Sequence, residues 1–284
     1  MSSKHQIGLH LRINDTLSNM VQEALEFQLK IFQFFLVTQG NAQYLRLTRK
    51  ERDEFVKARR EHFAELFVHS SYWINPASNS KETFDLSKYL LKKEIAQAKS
   101  LEVQYIVLHA GSAKGHRPEA DDKNGKKKGI ATLASMLNSI LKKESDVQIL
   151  LENSAHGQKS IGNDFQDFIM LKELLDEPEK IGFCVDTAHA YSYGYPLDPI
   201  EDFITMLDRC MGLANIKLIH FNDTQDVFGS MQDRHEFPGK GTIGRKTLEQ
   251  LLNNDKLKSV PKIIEGPDVD HVSTQNALTD IISW

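Results

Sequence analysis

Ile181-Gly-Phe-Cys-Val-Asp-Thr-Ala-His189 combines two signals. Its first five residues form a short continuous apolar run. That is the pattern of a strand buried on both faces, as in a parallel sheet covered by helices. The run then stops at a carboxylate, Asp186, with a histidine three residues further on. A carboxylate ending an apolar strand is costly unless it is paired or bound to a metal.

The same pattern recurs along the chain. Apolar, β-like runs are read at residues 7–10, 31–37, 65–69, 104–109, 147–152, 181–186, 216–220 and 261–265. Amphipathic stretches separate them, at 17–29, 81–101, 130–141, 165–175, 199–211 and 246–252. In the second of these Leu86, Leu90, Leu91, Ile95 and Ala98 recur near helical spacing. Asp198-Pro199 reads as an N-cap followed by proline at the first helical position. No low-complexity linker divides the chain. Eight βα units in 284 residues predict an α/β fold, a single-domain (β/α)8 barrel spanning residues 1–284.

Composition agrees. The chain is 40% hydrophobic and 26% charged, as expected of a globular protein large enough to bury a substantial core. Two cysteines, Cys184 and Cys210, form no disulfide framework, and Cys184 lies inside an apolar run. Residues 1–8 carry no apolar signal segment, and no run reaches transmembrane length. A cytoplasmic protein with no membrane association is expected. The net charge of −4 and pI of about 6.3 give no support to nucleic-acid binding through overall basicity. Bound metal ions would alter that balance. The dense basic run at residues 123–128 reads as a solvated loop, with contact to phosphate as its alternative.

Nine acidic and histidine residues fall at or just beyond the ends of the runs: His69, His109, Glu152, Asp186, His189, His220, Asp233, His235 and Glu265. Strand ends of a barrel converge on one pocket, and the loops at that end carry the active site. The loops there are long, at 110–129, 153–164 and 221–244. Residues 228–241 form a Gly/Asp-rich segment that must fold tightly. Histidine and carboxylate suit zinc, manganese or iron. Nine ligands exceed what one ion takes and suit two or three. His10, His116 and His156 are expected beside the site as supporting or substrate-facing groups; His5, His62 and His271 are expected at the surface. No Gly-x-Ser-x-Gly elbow and no Walker lysine loop appear. Residues 239–244 read as a turn into a helix.

Val107-Leu-His109-Ala-Gly-Ser112, Leu151-Glu-Asn-Ser154, Gly182-Phe-Cys-Val-Asp-Thr-Ala-His-Ala190, His220-Phe-Asn-Asp223 and Asp233-Arg-His235 occur in one order along most of the chain. In these motifs, with His69 and Glu265, the chain resembles the endonuclease IV family of apurinic/apyrimidinic endonucleases. The resemblance implies a DNA-repair hydrolase of the deoxyribonuclease IV type. It would cut damaged double-stranded DNA on the 5′ side of an abasic site, leaving a 3′-hydroxyl and a 5′-deoxyribose phosphate, and would trim blocked 3′ ends. It implies three zinc ions, with manganese or iron at some positions. His69, His109 and Glu152 would hold the first. Glu152, Asp186, His220 and Glu265 would hold the second, and His189, Asp233 and His235 the third. Glu152 and Glu265 would be catalytic through a hydroxide formed at the metals. A monomer with no obligatory protein partner is expected.

Two departures from the family pattern concern DNA. Tyr72-Trp73 is expected to fill the gap left by a flipped nucleotide, with Trp73 in place of an aliphatic residue. The loop at residues 37–43 lacks the family's usual arginine, with Arg46 and Arg49 the nearest. The alternative reading is a sugar isomerase or epimerase on the same barrel. It would use Glu152, Asp186, His220 and Glu265 for a single ion, without the other five.

Overall fold

The computed structural model describes residues 5–38, 44–113, 123–143, 146–157 and 159–284. Ten strands and nine α-helices are found there. The strands are β1 (Ile7–Leu11), β2 (Ile31–Phe35), β3 (Glu65–His69), β4 (Tyr105–His109), β5 (Gln148–Glu152), β6 (Ile181–Asp186), β7 (Ile216–His220), β8 (Asp223–Thr224), β9 (His235–Glu236) and β10 (Lys262–Ile264). Eight of them close a parallel barrel in the order β1-β10-β7-β6-β5-β4-β3-β2, while β8 and β9 form a separate antiparallel pair. The helices are α1 (Leu17–Glu26), α2 (Arg49–His62), α3 (Lys81–Ser100), α4 (Lys123–Leu141), α5 (Gln166–Leu174), α6 (Thr187–Tyr193), α7 (Ile200–Cys210), α8 (Arg245–Asn253) and α9 (His271–Ile282). The (β/α)8 expectation holds. None of these helices is long and apolar enough to cross a membrane.

Strand periodicity positions the site. Ile31, Phe67, Val107, Leu150, Cys184, Leu218 and Ile263 form one buried cluster filling the barrel. Gly8 completes the circle, because a Cβ there would lie 2.2 Å from the Ile31 carbonyl oxygen. Residues i and i+2 of a strand share a face. Two residues beyond these eight come His10, Gln33, His69, His109, Glu152, Asp186, His220 and Glu265. The parity that packs the barrel therefore crowns it with a staggered polar ring. Register makes neighbours of His109 and Glu152, Asp186 and His220, and His10 and Gln33.

Several expectations are corrected. The basic run 123–128 is not a loop but the opening of α4. Lys126 is anchored there, with Nζ 2.7 Å from Asp167 Oδ2 and donating to Asn163 Oδ1 at 2.6 Å. α7 begins at Ile200, and Asp198 makes no capping bond. β2 stops at Phe35, short of Val37. His5 is buried, next to the point where the chain entering β1 pairs with Lys262, whose N–H donates to Gln6 O. His62 and His271 are exposed, and His271 stacks on Phe27. Both cysteines are buried thiols. Arg49 opens α2 and faces Asp53. His116 and residues 39–43 of the segment after β2 lie outside the described residues.

Candidate metal centre

All nine predicted ligands surround one cavity of about 260 Å³ at the C-terminal end of the barrel. His69, His109, Glu152, His189, Asp233, His235 and Glu265 line it, with His10, Arg12, Phe35, Tyr72 and Gly266. Asp186 and His220 lie fully buried beneath.

Three groups can be separated. His69 Nε2 and His109 Nε2 lie 3.2 and 2.8 Å from the same oxygen, Glu152 Oε2. Ligand atoms of Glu152, Asp186, His220 and Glu265 all lie within 4.8 Å of one another. So do those of Asp186, His189 and His235. Asp233 Oδ1 closes the last group, 3.2 Å from His189 Nε2 and 3.1 Å from His235 Nε2. These last two ring nitrogens are buried and make no hydrogen bond among the described residues. Two imidazole nitrogens converging on one carboxylate oxygen without bonding to it is an arrangement that suits a shared cation. The residues fit divalent metal ions.

Loop chemistry brings the last group over the barrel. Asp186 ends β6, caps α6 by accepting from His189 N at 2.6 Å, and so sets His189 one turn above itself. The β8–β9 pair returns His235 and Asp233 to the site. Asp223 holds that excursion closed. Its carboxylate accepts from the backbone N–H groups of Thr224, Gly239, Gly241, Ile243 and Gly244 at 2.8–3.2 Å. Gly241 is required, since a Cβ there would sit 2.3 Å from the Thr224 carbonyl oxygen.

A second layer of groups orients the ligands, as metal-binding histidines generally require. His69 Nδ1 lies 2.8 Å from Ser70 O and His189 Nδ1 lies 2.8 Å from Asn153 O. Each bond fixes a proton on Nδ1 and turns Nε2 toward the cavity, where it would be free of its proton once an ion is bound. Asn153 also accepts from Asp186 N and donates to Asp186 O. Asn222 donates to Asp186 Oδ2 at 2.6 Å and accepts from Glu265 N at 2.8 Å. Gln33 bridges His220 and Glu265. Sequence reasoning did not single out Gln33, Asn153, Asn222, Asp223 or Arg12. Asn153, Asn222 and Asp223 lie inside the quoted motifs, and Gln33 interrupts an apolar run.

The electrostatics match a site built for positive charge. Burial pushes the Glu152 carboxyl up, but His109 and His220 hold it well below the carboxylate range. Burial raises Glu265 too, and His220 brings it low. Asp233 is driven far down against its burial by His189 and His235. Burial opposes charging the histidines, yet His69 is raised by Glu152 and His189 well raised by Asp186 and Asp233. Cys184, Glu265 and Glu152 raise His220. Asp186 and Asp233 bring His235 to about 9.

Tyr72 stands at the cavity rim, 70% exposed, while Trp73 beside it is 38% exposed and does not line the cavity. Their ring centroids are 5.0 Å apart. His156 Nε2 lies 3.8 Å from Asp233 Oδ2.

Comparison with known proteins gives this arrangement a family. Residues 21–283 match the family model described as xylose isomerase-like TIM barrel. A probable endonuclease 4 of Thermosipho melanesiensis is 32% identical over 275 residues, covering 94% of each chain. One from Heliobacterium modesticaldum is 33% identical over 92% of each. The crystal structure of endonuclease IV from Thermus thermophilus superposes with a TM-score of 0.81 and 26% identity, covering 97% of this chain and 99% of that one. A D-tagatose 3-epimerase-like protein shares the fold at 17% identity. With its ligand motifs in order and relatives of that name matched along nearly its whole length, the chain belongs to the endonuclease IV family of nucleases.

Proposed function

We propose that this protein is a metal-dependent endonuclease that hydrolyses the phosphodiester bond on the 5′ side of an abasic site in double-stranded DNA. The products are a 3′-hydroxyl and a 5′-deoxyribose phosphate, and blocked 3′ ends are trimmed by the same chemistry. One observation carries the reading. His69, His109, His189, Asp233 and His235 reach the same cavity as the core of Glu152, Asp186, His220 and Glu265. A single-metal isomerase has no use for those five.

His69, His109 and Glu152 would hold one ion, Glu152, Asp186, His220 and Glu265 a second, and His189, Asp233 and His235 a third. The mixed histidine and carboxylate set favours zinc, with manganese or iron as substitutes at the more acidic positions. Such ions supply Lewis acidity, which activates water near neutral pH and offsets charge building on a phosphate.

The chain's own groups do the rest. Glu152 and Glu265 are assigned as the catalytic carboxylates. Glu152 is gripped by histidines on both oxygens, and Glu265 lies against His10 and His220. Arg12, paired with Asp268 at the rim, offers a cation to the DNA backbone. Tyr72, with Trp73 behind it, occupies the space left when the abasic nucleotide turns out of the helix. That extrusion is cheap because no base pairing or stacking is lost. Residues 1–284 act as one domain and as a monomer.

A duplex carrying one tetrahydrofuran abasic analogue tests the reading. Zinc-loaded protein should make a single cut on the 5′ side and leave an extendable 3′-hydroxyl, with near three metal equivalents per chain. No cut under conditions where an established abasic endonuclease cuts would overturn it. One metal equivalent with turnover of a ketose would favour the isomerase instead.

A further inference from the structure

Two members of the polar ring are not metal-ligand candidates, His10 on β1 and Gln33 on β2. They are neighbours in register. Gln33 is fully buried within Ile31-Phe-Gln-Phe-Phe35. A buried amide is costly unless its hydrogen bonds are satisfied. Gln33 Oε1 lies 2.9 Å from His220 Nε2. Gln33 Nε2 lies 2.7 Å from Glu265 Oε1 and 2.9 Å from His10 Nδ1.

Proton positions follow from these contacts. His220 Nδ1 faces Glu152 Oε1 at 2.7 Å, Glu265 Oε2 at 3.2 Å and Asp186 Oδ2 at 3.9 Å. It is the nitrogen turned toward the ligand group, so Nε2 carries the N–H given to Gln33. Gln33 must then present its oxygen to His220. Its two amide hydrogens are directed to Glu265 and to His10. His10 Nδ1 therefore accepts, and the His10 proton sits on Nε2. The rival tautomer would donate from Nδ1 to Glu265 Oε1 at 3.2 Å. It would also set two hydrogens against each other across the 2.9 Å gap to Gln33. His10 Nε2 is buried without a hydrogen-bond partner among the described residues, on a ring that lines the cavity and packs 4.5 Å from Phe35.

We propose that Gln33 is a positioning residue of the centre: a single amide that sets the tautomer of His220, orients Glu265, and leaves His10 a ring with its N–H on Nε2 at the cavity wall. The inference rests on the metal-dependent reading above, because it assigns Gln33 to the groups that would hold the second ion. Gln33 acts only through Glu265, His220 and His10.

The wild-type protein provides the first test. Histidine ¹⁵N NMR of the metal-loaded enzyme should show His10 protonated on Nε2 with Nδ1 bare, and His220 protonated on Nε2. A His10 proton on Nδ1, or a bare His220 Nε2, overturns the proposal. Gln33→Met and Gln33→Glu add a second test. In either variant that folds by circular dichroism, affinity for one ion should fall by about ten- to a hundredfold in chelator competition, as for other outer-shell partners. In the same variant kcat should fall while KM stays near wild type. Affinity within twofold of wild type in a folded variant overturns the proposal. If neither folds, the wild-type spectrum decides. Failure of the parent reading is distinct: the His10 and His220 pattern would be as stated in a protein that takes up no second or third ion and cuts no abasic DNA.

Discussion

At the scale of single residues, Lys262 tests how the barrel treats a buried charge. It is fully buried on the helix-facing side of β10 and donates through Nζ to the Leu257 carbonyl at 2.6 Å. Burial pulls its ammonium down from 10.5 to about 7. Between those two values the unfolded chain holds the proton and the folded chain does not. Stability from this group therefore rises with pH across that window, and its cost is greatest at and below about pH 7. Lys262→Met removes the cost and leaves the Leu257 carbonyl with the Val260 N–H alone, a penalty that does not depend on pH. The melting temperature of Lys262→Met minus that of wild type should be most favourable near pH 6–7 and should fall steadily toward pH 10. A difference independent of pH would show that Lys262 is not desolvated in the folded state. Six of the ligands were legible because each is an acid or histidine ending an apolar run, where nothing else accounts for it; His189, Asp233 and His235 lie beyond the runs and showed through the short Asp-Thr-Ala-His and Asp-Arg-His motifs. Gln33 was not, and of His10 only its place beside the site was. An amide carries no charge to draw notice, and the role of His10 depends on a partner from the next strand.

At the scale of elements, the segment from β8 to the start of α8 shows how a long loop becomes a ligand platform. Residues 223–244 fold back as a short antiparallel pair in which one side chain, Asp223, gathers more backbone N–H groups than any other. Asp223→Ala would strip the carboxylate acceptor from five backbone N–H groups, three of them on glycines. Buried donors left unpaired are costly, and bonds to a charged acceptor are worth more than neutral ones. A loss of about 3 kcal/mol or more in urea unfolding is expected. Asp233 and His235 ride on this segment, so one metal equivalent should be lost with it, and protease should cut within residues 225–240. Full metal content and wild-type stability would contradict this account. Periodicity exposed the eight barrel strands and six of the helices, but it missed α6, α9 and α2. That helix buries only Phe55 among its fourteen residues and announces itself through the Thr48/Glu51 capping box instead. The lysine-rich start of α4 looked like a loop for a related reason. Asp167, which neutralises Lys126, and Asn163, which accepts from it, are distant in sequence.

At the scale of the whole molecule, eight strands fill the barrel with one set of alternate residues and spend the next position on polar chemistry. Closure then packs Glu152, Asp186, Asp233 and Glu265 among histidines in a small, mostly buried volume. Protons and divalent cations are alternative ways of balancing that charge, and the two are linked. His235 titrates at about 9 when protons alone do the balancing. A folded pKa raised above the ordinary 6.5 contributes stability that is complete below pH 6.5 and is lost as pH rises through about 9. Protein stripped by a chelator should therefore lose stability across that interval. Metal-loaded protein has no such proton to lose there. Bound ions also stabilise by mass action, about 2.7 kcal/mol for a site at a hundred times its dissociation constant. Chelation should thus lower the melting temperature at every pH, and the gap between loaded and stripped protein should widen from pH 6.5 to 9. Re-addition of zinc should close the gap and restore cutting together. A gap that stays constant or narrows as pH rises would mean that the histidines and the ions do not compete for the same carboxylates. The three ligand groups would then have to be something other than metal sites.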